Sequence, residues 1–464
     1  MKHRSHILSA ILVILALTMV AGAVWLLCRT LPQKRQPDTV ETLDTNSVFE
    51  QPSVSVEPER EDPYEGELPE QTQTEHTADD APASAGEPET GSSAGASAQS
   101  AGISEESRAL AAQALSTMTL EEKIWQLFFV TPESLTGYNT VTRAGDATRE
   151  VLEEKPVGGI IYFSQNLEDR EQVITMLQNT ASYSRIGLFL GIDEEGGTVS
   201  RLGQNAALQA DSVGPMREYG DQADPAAVYD AGQIVAGSLR ALGFNFDFAP
   251  VADVASGSGA VIGSRSFGTD ANLCASLVRV MAGSLTDGGV VPCLKHFPGY
   301  GSASGDDHDG PASIEKTLDE LEACDLLPFR AAIGDGAPFV MVSHLSAPNV
   351  TGGDTPSDLS PVIVSDILRN KLGFSNVIIT DSQQMASITD RYTAAEAAVG
   401  ALSAGVDMIL MPADLQAAYD GVCAAVQSGT LTEQRIDESV LRILQVKAQY
   451  GILTAAALHS DDES

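Results

Sequence analysis

Positive charge is scarce in this chain of 464 residues. Lysine and arginine together number 27 against 64 aspartates and glutamates, which gives a formal net charge of −37. Such a surface repels phosphates instead of neutralising them, so nucleic acid is excluded as an expected partner. The Gly-Gly pairs at 158–159 and 196–197 also lack the glycine spacing of dinucleotide-binding and phosphate-binding loops. Nucleotide binding is therefore not expected either.

Cysteine is sparse too, with five residues in the whole chain. The sequence contains no CxxC pair and no Cys/His spacing typical of a zinc site. We interpret the cysteines as small buried hydrophobic side chains, which leave the redox compartment undetermined. Nothing in the sequence indicates a metal or an organic cofactor.

Residues 1–35 are predicted to be an N-terminal transmembrane anchor. Residues 7–27 form a stretch without a charge, flanked by basic residues on both sides. As a helix, this stretch is long enough to cross the roughly 30 Å hydrocarbon layer of a bilayer. A cleaved signal peptide would have a shorter apolar region and a small-x-small cleavage site, whereas residues 25–28 read Trp-Leu-Leu-Cys. We favour a retained single-pass anchor over cleavage and secretion.

Residues 36–103 are predicted to be a disordered acidic linker. Between residues 41 and 100, Arg60 is the only lysine or arginine among many acidic residues, and Pro, Ser, Gly, Thr and Gln are frequent. Such a segment has too little apolar surface to offset the entropy of ordering the chain. Its like charges repel one another, so we interpret it as an extended tether without a specific partner.

Residues 104–464 are predicted to form a single α/β domain. Apolar runs recur along it, separated by segments with helical periodicity. The runs are continuous rather than alternating, which indicates strands covered on both faces, as in a parallel sheet with crossover helices. The alternation predicts a (β/α)8 TIM barrel, with an open doubly wound sheet as the alternative. The eight runs are residues 124–130, 157–163, 187–193, 244–254, 290–296, 339–345, 376–381 and 408–412.

Helix start and stop signals support this pattern. Residues 119–122 and 317–320 both have Thr followed three residues later by Glu, which predicts a capping box at the start of a helix. Ser360-Pro361 is predicted to begin another helix and Gly373 to end it.

Polar residues stand at the ends of the third to seventh predicted strands. They are Asp193, Asp253, Lys295 with His296, His344 and Asp381. Because the active site of a barrel lies at the carboxyl ends of its strands, we expect these side chains to share one rim. An alternative interpretation of these residues is a metal site made of Asp253, His296 and His344. Lys295 stands next to His296 in the chain, and its positive charge argues against a metal cation at that place.

The stretch from 295 to 308, which reads KHFPGYGSASGDDH, is the most informative part of the chain. A buried strand that ends in Lys295 and His296 requires partners for both side chains, because burying such groups alone costs several kcal/mol. Asp306 and His308 lie two residues apart, which suits a carboxylate that orients an imidazole for proton transfer.

With these residues in view, the chain resembles glycoside hydrolase family 3, in particular its β-N-acetylglucosaminidase branch. The resemblance covers essentially the whole domain and includes GIDEEGG at 191–197, IGSRSFG at 262–268 and IITDS at 378–382. In this family the Lys-His-Phe-Pro-Gly-x-Gly string, followed after four residues by Asp-(Ser/Thr)-His, separates N-acetylglucosaminidases from β-glucosidases.

The resemblance implies a retaining exo-β-N-acetylglucosaminidase that removes terminal β-linked N-acetylglucosamine, and peptidoglycan fragments are the expected source of that sugar. It implies that Asp381 is the nucleophile, and that His308, paired with Asp306, is the general acid/base. The sugar-binding residues that it implies are Asp193, Arg201, Arg265, Lys295 and His296. Glu195 and Asp253 are expected to pack behind them. A monomer with its catalytic domain outside the cytoplasmic membrane is expected.

Two departures from the family pattern lie in the same loop. Tyr300 replaces the usual His or Leu, and Asp307 replaces Ser or Thr. The extra negative charge beside His308 favours the protonated imidazole and predicts a pH optimum shifted upward.

Two alternative functions remain. One is a β-N-acetylglucosaminide phosphorylase, because a histidine acid/base would not repel an incoming phosphate as a carboxylate would. The other is a non-catalytic glycan-binding protein, against which the intact Asp381, His308 and Asp306 argue.

Overall fold

The computed structural model describes residues 102–256, 260–306 and 310–455. The strands are β1 (Phe128–Val130), β2 (Gly159–Ile161), β3 (Phe189–Ile192), β4 (Glu194–Gly196), β5 (Val199–Ser200), β6 (Phe246–Asp247), β7 (Val291–Phe297), β8 (Phe339–Val342), β9 (Val377–Thr380) and β10 (Ile409–Leu410). The α-helices are Glu105–Thr117, Leu120–Trp125, Pro132–Thr136, Asp146–Glu154, Arg170–Ser182, Met216–Gln222, Pro225–Leu242, Ala271–Asp287, Leu318–Ala323, Leu326–Gly334, Pro348–Thr351, Ala386–Thr389, Ala394–Ala404, Leu415–Ser428 and Glu433–Gln449. Short 3₁₀ turns cover Ser164–Asn166, Ala206–Leu208, Gly263–Arg265, Tyr300–Ser302 and Ser357–Leu359, and Val362–Lys371 is a π-helix.

Eight strands form one parallel sheet in the order β10-β1-β2-β3-β6-β7-β8-β9. A parallel bridge between Ile379 and Met408 brings the two edges of this sheet together, and Thr380 N donates to Met408 O at 3.1 Å. The sheet is therefore a nearly closed barrel, which confirms the α/β barrel prediction and rules out the open doubly wound sheet.

Each of the eight predicted apolar runs contains one barrel strand. Seven of the strands are shorter than their runs, and the run 244–254 supplies only the two residues of β6. The exception is β7, which is as long as its run and ends one residue beyond it. The hairpin of β4 and β5 was not predicted. Its turn depends on Gly196 and Gly197, which have φ of 86° and 59°, in the left-handed region that favours glycine.

Phenylalanine rings from β1, β6 and β8, and from the segment just after β6, fill the interior of the barrel. The rings of Phe246 and Phe339 lie 4.8 Å apart between centroids, and those of Phe129 and Phe248 lie 5.1 Å apart. Gly191 makes room for this cluster, because a Cβ there would lie 2.8 Å from Phe129 Cζ. The interior is thus packed with apolar side chains and is not a channel.

The helix boundaries follow the local signals. Thr119 and Thr317 both form the predicted capping boxes, with Glu122 and Glu320 as their partners. The predicted helix after Ser360 is present as the π-helix, and Gly373 follows it with φ 71°.

The N-terminal end of the barrel, here called the floor, buries two charged residues. Lys447 of the last helix is fully buried, and its Nζ donates to Gln126 Oε1 at 2.7 Å and to Gly187 O at 2.8 Å. Asp407, also fully buried, lies just before β10. It forms ion pairs with Arg369, Arg435 and Arg442, which tie the π-helix and the last helix to the sheet.

The cysteine interpretation is wrong in part. Cys274 and Cys293 are buried, whereas Cys324 and Cys423 are only half-buried. Both lie on or beside helices of the outer layer, where a small side chain is covered from one side only.

The predicted anchor at 1–35 and most of the predicted linker at 36–103 lie outside the described residues. Within the described part of the chain, no helix combines the length and the apolar character needed to cross a membrane.

Candidate active site

The ends of the strands place the predicted site residues on the C-terminal rim of the barrel. Asp193 follows β3, and Asp381 follows β9 directly. Lys295 and His296 lie at the C-terminal end of β7. His344 lies two residues after β8. In a parallel barrel these positions all face the same end.

Lys295 is the centre of a buried ionic network on this rim. Its Nζ lies 2.7 Å from Asp193 Oδ1 and 2.6 Å from Glu195 Oε1, and the residue is 3% exposed. Burial alone would lower the pKa of the lysine, but Asp193 and Glu195 outweigh burial and hold that pKa above its usual value. The ammonium group therefore stays charged.

Glu195 joins Lys295 to Arg265. The guanidinium of Arg265 donates to both carboxylate oxygens of Glu195, each at 2.8 Å. Although burial alone would raise the pKa of Glu195, the two cations hold it well below its usual value. The expectation that Glu195 packs behind the sugar-binding residues fits this arrangement, because its oxygens are occupied by the two cations.

Asp253 fixes His296 and the start of the following loop. Asp253 Oδ2 lies 2.7 Å from His296 Nδ1, and Asp253 Oδ1 accepts the backbone N–H of Tyr300 at 2.6 Å. His296 Nε2 is 3.4 Å from an amino group of Arg265. The imidazole is thus oriented by a carboxylate on one side and faces the ionic network on the other.

Arg201 lies against the same network. Its guanidinium is 3.9 Å from Asp193 Oδ2 and rests 5.8 Å from the centre of the Phe163 ring. Its buried Nε has no hydrogen-bond partner among the described residues. The five residues predicted to bind sugar are therefore brought together.

Asp381 is held at the end of β9 by its own backbone and by its neighbour. Its N–H donates to Val342 O at 2.9 Å, and its Oδ1 accepts the N–H of Ser382 at 2.7 Å. The side chain is half-buried. Such a carboxylate is fixed in position and still accessible, as a nucleophile requires.

Backbone contacts place Asp381 close to the strand that carries Lys295. The N–H of Asp381 donates to Val342 O at 2.9 Å, and Val342 of β8 pairs with Phe297 of β7, two residues after Lys295. The predicted nucleophile and the ionic network therefore stand on either side of β8, at the same end of the barrel. Burial raises the pKa of the Cys293 thiol, also on β7, well above its usual value.

The loop after β7 carries Asp306, whose Oδ1 accepts a hydrogen bond from the hydroxyl of Tyr300 at 3.0 Å. Its predicted partner His308, together with Asp307, lies outside the described residues. The roles of Asp381, Asp306 and His308 and of the sugar-binding residues stay predictions.

His344 links the ends of two strands. Its Nε2 lies 2.8 Å from Ser382 O, and its Nδ1 is 3.1 Å from Asp358 Oδ1. His344 therefore contacts Ser382 and Asp358, whereas His296 pairs with Asp253. Among the described residues, no group of three or more His, Cys, Asp or Glu side chains is arranged to hold a metal ion.

Two further buried acids, Asp247 and Glu194, escaped the sequence reasoning. Asp247 is fully buried on β6, and burial raises its pKa well above the usual value. Burial also raises the pKa of Glu194 to about 7, although hydrogen bonds from Leu202 N and Ser200 counteract it. The signal that could have revealed Asp247 is an acid between two phenylalanines in the apolar run at 244–254.

Comparisons with known proteins agree with the resemblance. The model of the glycosyl hydrolase family 3 N-terminal domain matches residues 119–446. The β-hexosaminidase LpqI of Mycobacterium tuberculosis is 34% identical over 319 residues, which cover 66% of this chain and 79% of that protein.

Two solved structures are similar as well. A family 3 β-N-acetylglucosaminidase from Paenibacillus sp. str. FPU-7 has a TM-score of 0.68 and 35% identity, covering 72% of this chain and 63% of that one. A family 3 glycosyl hydrolase from Mycobacterium smegmatis str. MC2 155 has a TM-score of 0.63 and 34% identity, covering 73% and 98%. The chain therefore belongs to glycoside hydrolase family 3 and is a glycoside hydrolase.

Proposed function

We propose that this protein is a retaining exo-β-N-acetylglucosaminidase that removes terminal, non-reducing β-linked N-acetylglucosamine from glycans. The observation that carries this proposal is the position of Asp381, half-buried at the end of β9, on the rim that also bears the buried network around Lys295. The names of the similar β-hexosaminidase and β-N-acetylglucosaminidase support the substrate class.

In the proposed binding step, the side chains of the network form hydrogen bonds with the hydroxyls of the terminal sugar. Asp193 accepts hydrogen bonds, whereas Lys295, Arg265 and Arg201 donate them. Because these charges are already paired and held in place, little ordering of side chains is needed when the sugar binds.

In the proposed chemical step, a carboxylate oxygen of Asp381 attacks the anomeric carbon. The protonated imidazole of His308 donates its proton to the leaving oxygen, and the glycosidic bond breaks. A glycosyl-enzyme ester results. Water then attacks the same carbon, His308 takes the proton of that water, and the ester bond to Asp381 breaks. Two inversions give net retention of the β configuration.

Full-length protein, assayed with 4-nitrophenyl β-N-acetylglucosaminide, tests the proposal. Wild type is expected to release nitrophenol, and Asp381→Asn is expected to lower kcat on the order of 10³-fold, because the amide is a poor nucleophile. Asp319→Asn, on an exposed helix turn, is the matched control and is expected to keep full activity.

Product analysis by NMR separates the proposal from its rivals. The β anomer of N-acetylglucosamine is expected to form first, at a rate independent of phosphate. A sugar phosphate formed only with phosphate present would indicate phosphorolysis. Sugar binding without any turnover would indicate a glycan-binding protein.

For the setting of this activity, we propose peptidoglycan fragments as substrate and anchoring of a monomeric enzyme by residues 7–27, with the catalytic domain outside the membrane. The uncharged length of that segment supports the anchor. Release of the enzyme from washed membranes by salt alone, without detergent, would contradict it.

A further inference from the structure

Glu194 and Asp247 are buried acids that take no part in the proposed binding and chemical steps. Glu194 follows Asp193 in the chain and is 1% exposed, and Asp247 lies on β6 and is fully buried. Burying a carboxyl group is costly unless hydrogen bonds compensate for the lost water. The hydrogen-bond partners of these two acids therefore indicate what they do.

The carboxylate of Glu194 holds the chain on both sides of Arg201. Its Oε1 accepts a hydrogen bond from the hydroxyl of Ser200, and its Oε2 accepts the backbone N–H of Leu202 at 2.9 Å. Ser200 and Leu202 are the two neighbours of Arg201 in the chain, and both are buried. One carboxylate thus fixes the backbone of Arg201 from both directions.

The side chain of Arg201 is held more loosely than its backbone. Its guanidinium lies 3.9 Å from Asp193 Oδ2, which is too long for a hydrogen bond, and rests against the Phe163 ring. Its buried Nε has no hydrogen-bond partner among the described residues. The position of the guanidinium therefore depends strongly on where the backbone at residue 201 is held.

The hairpin of β4 and β5 gives this segment little support of its own. Its register pairs Glu194 with Ser200 and Gly196 with Val199, with an irregularity between these pairs. A hairpin of two short strands is marginally stable by itself. Leu202 lies beyond the last pair, and its N–H finds an acceptor in the side chain of Glu194. The carboxylate thus extends the support of the hairpin past Arg201.

Asp247 connects this arrangement to the barrel. Its Oδ1 accepts the backbone N–H of Glu194 at 2.9 Å, and β6 pairs with β3 through Asp247 and Ile192. The start of the hairpin is therefore attached to a barrel strand. The contacts run without a gap from β6 through Asp247 and Glu194 to the chain around Arg201.

We propose that Glu194 is a positioning residue for sugar binding, which holds the chain around Arg201 so that the guanidinium can donate to a sugar hydroxyl, and that Asp247 anchors Glu194 to the barrel. This inference rests on the proposed function. Glu194 is not expected to touch the sugar, because it is buried and its two oxygens accept hydrogen bonds from Ser200 and Leu202. Its effect is expected in KM, because a contact made equally before and in the transition state leaves kcat unchanged.

The test is a double-mutant cycle in the full-length enzyme with 4-nitrophenyl β-N-acetylglucosaminide as substrate. Arg201→Ala and Glu194→Leu are each expected to raise KM about tenfold with kcat nearly unchanged, the effect of losing one hydrogen bond from a charged group. The double variant is expected to stay within about twofold of the KM of Arg201→Ala, because Glu194 acts through the arginine. A purely structural role would instead lower kcat or the melting temperature and leave KM alone.

Two milder variants keep the test decisive if Glu194→Leu does not fold. Ser200→Ala removes the hydroxyl contact but leaves the acceptor of Leu202 N–H, and it is expected to raise KM about threefold. The same cycle with Arg201→Ala is then run with Ser200→Ala. Glu194→Gln keeps an oxygen for Leu202 N–H and a polar group for Ser200, so its KM is expected to lie within about twofold of wild type.

Glu122→Leu is the matched control. Glu122, in the helix that precedes β1, also supports the chain through its carboxylate, because its Oε2 accepts the N–H of Thr119 at 2.8 Å. Removing it is expected to lower the melting temperature without changing KM. The control therefore separates loss of stability from loss of sugar binding.

The inference is refuted if Arg201→Ala keeps the wild-type KM, or if the folded variants of Glu194 and Ser200 do. It is also refuted if the effects of Arg201→Ala and of Glu194→Leu or Ser200→Ala multiply in the double variant. The proposed function stands in each of these cases, as long as wild type releases nitrophenol. A wild type that releases none refutes both.

Discussion

Two lysines are buried at opposite ends of the barrel, and their surroundings differ. On the rim, Lys295 lies between the carboxylates of Asp193 and Glu195, which keep its pKa above the usual value. On the floor, Lys447 contacts an amide oxygen and a backbone oxygen, and burial lowers its pKa to about 7. The same residue type is thus a fixed cation at one end and, at the other, an amine that loses its proton near neutral pH.

The difference shows which buried charges are available for chemistry. The rim network combines several acids and cations whose outer members, Asp193 and Arg201, retain some exposure. A hydroxyl can enter such a network and share its hydrogen bonds. On the floor, Lys447 is fully covered and lies over the Phe189 ring, and Asp407 is enclosed by three arginines. Those charges are used to hold elements of the fold together.

The strongest test of the difference between rim and floor is the substitution Lys295→Met on the rim. The change removes a charged donor and leaves Asp193 without its closest cation, so sugar hydroxyls lose both a partner and a preoriented acceptor. We expect kcat/KM for 4-nitrophenyl β-N-acetylglucosaminide to fall about 100-fold, the effect of losing a hydrogen bond to a charged group. The measurement is steady-state kinetics on protein whose folded fraction is verified by its melting transition. A folded variant with wild-type kcat/KM would contradict the role of the network.

The matching change on the floor, Lys447→Met, is expected to leave kcat/KM unaltered and to change how stability depends on pH. The unfolded chain protonates this amine below about pH 10.4. The folded protein does so only below about pH 7. Between these values unfolding takes up a proton, so the lysine makes stability rise with pH, and this contribution is lost as the pH falls toward 7.

Denaturant unfolding at pH 7 and at about pH 9.5 measures this effect. The free energy of unfolding of wild type minus that of Lys447→Met is expected to increase on the order of 3 kcal/mol between the two pH values. Lys371→Met is the control, because Lys371 is 45% exposed and pairs with Glu322 at the surface. An equal pH slope in wild type and Lys447→Met would show that the buried amine stays charged.

The barrel could be predicted from the sequence because its signals are local. A strand covered on both faces reads as a continuous apolar run, and each of the eight runs contains a strand. The capping boxes at Thr119 and Thr317 depend on residues three apart. The rim residues were predictable for a related reason, since they follow the runs directly.

What the sequence could not reveal depends on partners far apart in the chain. Lys447 stands in a helix with many polar residues, and only packing against Gln126, 321 residues away, makes it a buried group. A cleft lined by Ser346, Ser387 and Arg391, among others, joins loops that follow different strands. Asp247 likewise accepts the N–H of Glu194 at 2.9 Å, a contact that depends on the pairing of β6 with β3.

The smallest expected effect comes from removing a single tyrosine hydroxyl, either on the rim or on the floor of the barrel. Tyr300, which departs from the family pattern, donates to Asp306 Oδ1 at 3.0 Å, and its ring lies 5.5 Å from that of His296. Tyr300→Phe keeps the ring and removes the hydroxyl together with this hydrogen bond, so the proposed partner of His308 is held less firmly. We expect kcat to fall about fivefold with KM unchanged, in line with the modest worth of one hydrogen bond.

Tyr450→Phe is the corresponding change on the floor, where the hydroxyl pairs with Thr286 Oγ1 at 3.0 Å. It is expected to lower the melting temperature without affecting kcat, because no group of the rim depends on that contact. Steady-state kinetics and thermal unfolding of the two variants, measured side by side, therefore separate a hydroxyl that positions a catalytic loop from one that stabilises the fold. The reverse result, with kcat reduced only in Tyr450→Phe, would mean that the two ends of the barrel are not functionally distinct.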